Sequence, residues 1–498
     1  MSKNLKIKFP SQEGNRADHH AIVFRQMKKG FLQSLSANAA QLMLNQLFGL
    51  GIFYILSTRL DKATFGQINL ALAILLTIFS LLPMGVDQLM VKKIASGENR
   101  RTMLSLFLFH VTFTGFAVYL VVGTGWIVFG SHSLVYSLLL VIGIGKLMMF
   151  FSAPFKQITS GSEQFKVLAY MSVVSNLVRC ACLIMLVYAG RLLLWPIVFV
   201  FLAGDCAELI CSVWLYGKYI GGGFSLRINI SQYLELLREA LPQTGVVLIT
   251  SALARFDWIF IGLMLSAVKL AEYSFAYKVF EMSALPLTAI APVLIPKFTR
   301  MVKRQSFNTD ELKRLVRYEM VVSAFVILAI NIAWAPVIDS ITGGKYGQVN
   351  VATMFILSLC LPLLFINNFL WTLYFAQGRL KMILTAFIIT LAVNISGDVV
   401  LIPACKNEGA ALAFLLASVS QAVYFLYRNE IKELNTVWQP LIICVACAIA
   451  AKFGASLFTD SLLFSIIIAF IVFAALLIIT GQIKPGKSES LKTLLSEY

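Results

Sequence analysis

The residues of this sequence that could do chemistry are ionisable and amide side chains set inside long apolar runs. Lys146, Arg179, Arg255 and Lys278 are bases in such runs, and Asp87, Asp205, Glu208, Asp257, Glu281 and Asp398 are acids in them. A charge in a bilayer core is costly, so it faces a cavity or a partner. Arg179 and Arg255 lie about thirteen and fourteen residues into their runs, roughly 20 Å deep at the helical rise and close to a midplane. A guanidinium there offers a planar fork of donors that fits phosphate oxygens. The four bases are therefore candidates to bind an anionic substrate. An internal explanation stands beside this one. Arg255 can pair with Asp257 or a neighbour, Lys278 can pair with Glu281 at i,i+3, and Lys146 can snorkel to the interface. Asp257, Glu281 and Asp398 are accordingly candidates either for ion pairing or for coupling to a proton or sodium ion.

Amides add to this set. Asn38, Gln41 and Asn45 follow 3–4 spacing on the first apolar run and share one helix face. Such a face can hydrogen-bond sugar hydroxyls, and it can equally tie helices together. His110 and His132 have no metal-ligand companions and are read as structural. Seven of the eight cysteines lie in apolar runs, and the Cys444-Val-Ala-Cys447 spacing has no His or acid beside it, so packing is its reading. No metal, cofactor or catalytic group is expected.

The elements that position these residues follow from composition. Hydrophobic residues make up 59% and charged residues 13% of the 498, where a soluble domain carries roughly a quarter charged residues. Lipid is the solvent this chain needs. Runs of about 20 apolar residues, the length that crosses a bilayer, occur near 35–57, 67–91, 103–129, 133–153, 166–189, 193–217, 241–265, 270–296, 318–341, 350–376, 382–403, 409–427, 437–457 and 462–481. The expectation is an all-α membrane protein of about fourteen transmembrane helices. An even count puts both termini on one side. The N-terminal tail, every second loop and the C-terminal tail hold about 30 of the 41 basic residues, which marks that side as cytoplasmic. The net charge of +17 is this loop bias, and no soluble basic module is present to hold a nucleic acid. The connections near 218–240 and 297–317 read as amphipathic interface helices.

An internal repeat organises the spans. A shift of 205 residues without a gap places Asn45 on Thr250, Gly49 on Ala254, Phe53 on Trp258, Leu60 on Leu265, Ala71 on Ala276, Leu89 on Leu294 and Lys92 on Lys297. Copies six helices apart share one orientation, so the repeat is parallel and its halves enclose a central cavity. The expected organisation is a tail at 1–34, an N-lobe of six spans at 35–217, a cytoplasmic linker helix at 218–240, a C-lobe of six spans at 241–427, two further spans at 437–481 and a tail at 482–498.

These residues also carry a family likeness. Arg255-Phe256-Asp257-Trp258-Ile259-Phe260-Ile261-Gly262, then Tyr273-Ser274-Phe275-Ala276-Tyr277 and Pro296-Lys297, resemble the second-half signature of polysaccharide transporters of the multidrug/oligosaccharidyl-lipid/polysaccharide (MOP) exporter superfamily. Phe365-Ile366-Asn367-Asn368, Ala376-Gln377-Gly378-Arg379, Asn394, Ile402-Pro403 and Glu408-Gly409-Ala410-Ala411 are similar further on, as are Phe65-Gly66, Gly85 and Lys92-Lys93 in the first half.

The resemblance implies two six-helix bundles plus two C-terminal helices around a V-shaped cavity. It also implies alternating access that flips an undecaprenyl-diphosphate-linked oligosaccharide, such as an O-antigen or capsule repeat unit, across the cell's inner membrane. The expected partners are that lipid-linked oligosaccharide, the phospholipid membrane and polysaccharide polymerase machinery, with the chain acting as a monomer and not as an enzyme. The superfamily's lipid II flippase looks richer in arginines over its first two helices, where this chain has only Arg59, which argues against a peptidoglycan precursor as substrate. A drug/cation antiporter of the same superfamily is the first alternative, with acids dominating its cavity. A membrane-embedded glycan polymerase or ligase is the second, disfavoured by the short outer loops.

Overall fold

Lipid cannot hydrogen-bond a backbone, so a run of 20 apolar residues must satisfy its amides within itself and becomes a helix. A computed structural model describes residues 41–129, 133–221, 229–285, 287, 294, 298–303, 309–429, 436–458 and 461–483. Asn38, His132 and the two tails lie outside these residues, apart from 482 and 483. Every regular element among the described residues is helical. Helix α1 covers 41–59. It is followed by α2 (Lys62–Leu81), α3 (Val86–Ala95), α4 (Arg100–Phe129), α5 (Leu134–Gly161), α6 (Phe165–Tyr188), α7 (Leu194–Tyr219), α8 (Ile230–Met264) and α9 (Ala267–Ser283). Beyond Thr309 come α10 (Thr309–Thr342), a 3-10 turn (Gln348–Asn350), α11 (Val351–Ala376), α12 (Leu380–Tyr427), α13 (Trp438–Phe458) and α14 (Leu462–Ile479).

Ten of the described helices are long and apolar enough to cross a membrane, and the chain is a multi-pass membrane protein. The 48-residue α12 contains the runs 382–403 and 409–427, and it breaks between them. Pro403 contributes no N–H to the ladder, and Lys406 sits at φ 54°, ψ −129°. The ten do not include α1, α8 or α9, where three more spans are expected. The amphipathic stretch ending at 317 is not a separate helix. Residues 309–317 are the first turns of α10, with Leu312 and Val316 fully buried. Likewise 230–240 opens α8 without a break.

Helix starts are fixed by local capping. The Thr64 amide donates to Asp61 Oδ2 at 2.9 Å ahead of α2, and Thr64's hydrogen bonds hold the Asp61 carboxyl below its ordinary pKa. The Ser266 hydroxyl accepts the Lys269 amide at 3.2 Å and opens α9. After α11 the chain reverses at Gly378 (φ 74°), whose N–H and that of Arg379 donate to Phe375 and Tyr374 carbonyls.

The helices pack into two compact units. One comprises Met1–Phe53, Leu82–Gly123 and Val141–Gln243, and the other Tyr54–Leu81, Thr124–Leu140 and Thr244–Tyr498. In the first unit α6 packs on α7. There His110 on α4 is buried between the Leu82 carbonyl (2.9 Å) and the Tyr233 hydroxyl (3.0 Å). In the second unit α11 packs on α12, with Asn367 donating to the Ser418 carbonyl at 3.0 Å and the Tyr374 hydroxyl donating to the Phe425 carbonyl at 2.8 Å. There too α2 packs on α9 at backbone distance. A Cβ on Gly66 would fall on the Ala267 carbonyl, and Asn69 donates to the Ser274 hydroxyl at 2.9 Å.

Candidate functional site

The first unit gathers Lys146 from α5, Arg179 from α6 and Asp205 from α7. Asp205 has no solvent exposure, and its carboxylate meets Lys146 Nζ at 3.3 Å and the Arg179 guanidinium. Two glycines make this pair possible. A Cβ on Gly204 would lie 2.5 Å from Arg179 Cγ, and one on Gly145 would lie 2.7 Å from Asp205 Oδ2. Arg179 also donates to Asn176 Oδ1 at 3.3 Å, and Asn176 donates to Asn45 Oδ1 at 3.1 Å. One turn further along α7, Glu208 takes Lys156 at 2.5 Å and Ser152 at 3.3 Å. Lys146 is thus buried and paired rather than snorkelling. Asn45 ties α1 to α6, whereas Gln41 leaves a buried Oε1 with no partner among the described residues.

The second unit gathers Arg255 and Asp257 from α8 with Tyr273, Tyr277, Lys278 and Glu281 from α9. Lys278 and Glu281 pair at 2.7 Å, as their i,i+3 spacing predicts, and Arg255 reaches the same carboxylate at 3.8 Å. The Arg255 guanidinium lies over the Trp258 ring at 4.6 Å and the Tyr277 ring at 5.9 Å, a cation–π arrangement that leaves it 22% exposed. Asp257 is not the partner its closeness in sequence offers to Arg255. It accepts the Tyr273 hydroxyl at 2.8 Å and the Trp258 amide at 2.8 Å.

Asp398 lies on α12 in a buried stripe with Thr390, Asn394 and Ile402, spaced every fourth residue. Neither of its carboxyl oxygens, nor Asn394 Nδ2, has a hydrogen-bond partner among the described residues. The Asp398 oxygens can take a proton, a cation or a water hydrogen, and Asn394 Nδ2 can donate to water, but no cluster of three or more metal ligands exists among the described residues.

In each unit two bases converge on one acid: Lys146 and Arg179 on Asp205, and Arg255 and Lys278 on Glu281. The two groups differ in access. Lys146, Arg179 and Asp205 are closed in, whereas the Arg255, Lys278 and Glu281 side chains are 17–35% exposed. Sequence reasoning missed Asn176, Trp258, Tyr273 and Tyr277 as members of these groups. Asn176 stands three residues before Arg179 on one helix face and was legible by spacing. The aromatic residues stand in the stretches that carry the family likeness, but in a chain that is 12% aromatic nothing in their spacing marked them as partners of Arg255 or Asp257.

Comparison with known proteins now defines the class. The folded chain is similar to a lipid II flippase, MurJ, in an inward closed conformation (TM-score 0.71, 15% identity, 90% of this chain and 98% of that one). It is also similar to a MATE family multidrug resistance transporter of the MOP superfamily in an inward-facing conformation (TM-score 0.62, 12% identity, 82% and 98%). A eukaryotic MATE transporter, AtDTX14, aligns less closely (TM-score 0.51, 14% identity, 83% and 100%). The fold of this chain is the one these transporter and flippase structures share. Residues 31–302 match the model of the polysaccharide biosynthesis protein family, and the chain belongs to that family. No curated protein sequence matches it.

Proposed function

We propose that this protein is a flippase that moves an undecaprenyl-diphosphate-linked oligosaccharide, an O-antigen or capsule/exopolysaccharide repeat unit, from the inner to the outer leaflet by alternating access. The observation that carries this reading is the Arg255–Lys278–Glu281 group in a chain of a polysaccharide biosynthesis family. Arg255 and Lys278 converge on one carboxylate, Glu281, which is 35% exposed. Arg255 is stacked on aromatic rings with the Glu281 carboxylate 3.8 Å away, and a diphosphate can take the place of that carboxylate. Arg179 and Lys146 are the bases assigned to the substrate in the other unit, and Asn38, Gln41 and Asn45 are the amides assigned to sugar hydroxyls.

The break in α12 and the three spans expected at α1, α8 and α9 support fourteen crossings, with both termini cytoplasmic in a cell inner membrane. The Asn69–Ser274 hydrogen bond joins residues 205 positions apart, the offset of the repeat. A parallel repeat brings equivalent positions together on its axis, so this bond supports two six-helix halves with two helices added. The same reading takes the polysaccharide polymerase machinery as downstream partner and a monomer as the working unit.

Moving about two negative charges outward across 100 mV, inside negative, is favoured by roughly 4–5 kcal/mol. The membrane potential alone is thus sufficient drive, and Asp257, Glu281 and Asp398 are needed for coupling only if a proton or sodium ion is exchanged. Flipping of a lipid-linked oligosaccharide in proteoliposomes tests the proposal. Arg255→Ala should reduce the rate about 10–100-fold, the worth of charged hydrogen bonds, and Arg255→Lys should restore only part of it. Wild-type flipping by Arg255→Ala at normal protein level would refute the site. A multidrug/cation antiporter is the second reading, favoured by the buried Asp257 and Asp398. Efflux of an organic cation that Asp398→Asn abolishes, with no flipping of the lipid-linked sugar, would establish it instead.

A further inference from the structure

Two bases of the second unit reach Glu281, and the carboxylate holds them differently. Lys278 Nζ meets Glu281 Oε2 at 2.7 Å, a direct charged hydrogen bond. Arg255 Nη2 stands 3.8 Å from Glu281 Oε1, beyond hydrogen-bond length. Against the guanidinium stand aromatic rings. Arg255 Cζ lies 4.6 Å from the centre of the Trp258 ring and 5.9 Å from that of Tyr277. Trp258 follows Arg255 at i+3, so any helix brings these two close. Tyr277 comes from α9, and spacing along α8 does not supply it.

The rings are themselves fixed. Trp258 is 6% exposed and stands edge-on to Tyr277, at 90° with centroids 6.0 Å apart. Tyr277 packs in turn edge-on against Phe414 of α12 at 6.2 Å and against Phe280 at 5.7 Å. Asp257 accepts the Trp258 amide and the Tyr273 hydroxyl, both at 2.8 Å, which ties α8 to α9 next to these rings. A carboxylate and an aromatic face act differently on a guanidinium. A carboxylate takes its N–H edge and cancels its charge. A ring takes its face, and the N–H donors lie in the plane of the group. A guanidinium supported by rings is therefore fixed in place while its edge can still serve a ligand. An unsupported arginine must order a flexible chain at the moment of binding, and that ordering weakens affinity.

We propose that Trp258, backed by Tyr277, is the positioning residue of the anion site. It holds the Arg255 guanidinium by its face so that the N–H edge meets the phosphate oxygens of the lipid-linked diphosphate. This rests on the reading of Arg255 as a ligand of that diphosphate. Trp258 acts through Arg255 and needs no contact with the substrate.

Binding of farnesyl diphosphate to the purified full chain in detergent, measured over a range of salt concentrations, tests this. Arg255→Gln should weaken binding about tenfold, the worth of a charged hydrogen bond, and should lower its salt dependence. Trp258→Leu should weaken binding about fivefold and leave the salt dependence at the wild-type slope, because the charge is still present. Trp258→Phe, which keeps a ring, should restore most of the affinity. In an Arg255→Gln background, Trp258→Leu should cost nothing further. Tyr277→Leu should follow the pattern of Trp258→Leu more weakly, and it carries the test if Trp258→Leu does not fold. A loss from Trp258→Leu that is equal with and without Arg255, or no loss with Arg255 in place, would overturn the positioning role and leave Arg255 as a ligand. Absence of farnesyl diphosphate binding by the wild type, or affinity unchanged by Arg255→Gln, would overturn the anion site and the positioning role with it.

Discussion

Asp205→Asn is the perturbation that most sharply separates the two charge groups. The carboxylate is fully buried between Lys146 and Arg179, whose side chains are 4% and 10% exposed. At an effective dielectric of about 20, one ion pair at 3.3 Å is worth about 5 kcal/mol of attraction. The amide removes that attraction twice and leaves two cations facing each other. Breaking a single buried pair from one side typically costs about 3–5 kcal/mol, and this site belongs at the upper end. Glu281→Gln removes the corresponding carboxylate from the second unit, but Glu281 is 35% exposed and Arg255 stands 3.8 Å away. A pair so accessible is worth about 0–1 kcal/mol. Thermal unfolding of the purified chain in one detergent and at one scan rate should therefore show a drop of roughly 5–15 °C for Asp205→Asn. Glu281→Gln should stay within a degree or two of wild type. Replacing the whole group with Lys146→Met, Arg179→Met and Asp205→Leu should recover most of the loss, since apolar groups of similar volume substitute well for a buried ion pair. An Asp205→Asn protein as stable as wild type would refute the assignment of Asp205 as the shared counter-ion.

Three further outcomes are expected. Gly66→Ala should push α2 off α9, because its methyl group would meet the Ala267 carbonyl. A cost of about 1–3 kcal/mol and faster hydrogen exchange in both helices would show it. Asp61→Ala should cost about 0.5–2 kcal/mol near pH 7 by uncapping α2. The Asp61 pKa is lowered by folding, so this contribution is present above its unfolded value and is lost as the pH falls through the lower folded value. The gap between wild type and Asp61→Ala should close below about pH 3.9. In a cysteine-free background, an impermeant thiol reagent applied to intact cells should label Gln348→Cys and not Lys303→Cys, and labelling at 303 would reverse the assigned topology.

The apolar runs made most of the helices legible, because length and hydropathy alone dictate a membrane helix. The pairing of Lys278 with Glu281 was legible for a similar reason, since i,i+3 neighbours meet on any helix. What sequence reasoning could not supply was the counter-ion of Arg179. Asp205 is 26 residues away on the next helix, and only the packing of α6 against α7 brings the two together. Arg255 was open between Asp257 and another neighbour. Asp257 is its neighbour in sequence, but two residues along a helix turn the side chain to a different face, and Glu281 from α9 stands nearer in space. The continuity of α10 through residues 309–317 was hidden because an amphipathic segment looks alike whether it lies on a membrane or is the wet end of a span.

Gly145 and Gly204 bear on how this protein can change over generations. Each leaves the volume that one partner of the Arg179–Asp205 pair occupies, so the four positions form a single unit of variation. A relative that keeps both charges must keep both glycines. A relative that has lost the pair is released to fill positions 145 and 204 with alanine or larger residues, closing the space from the other side. Single steps between these two states pass through either a steric clash or an unpaired charge in the membrane. Homologous sequences should therefore fall into two sets at these positions, with few intermediates between them.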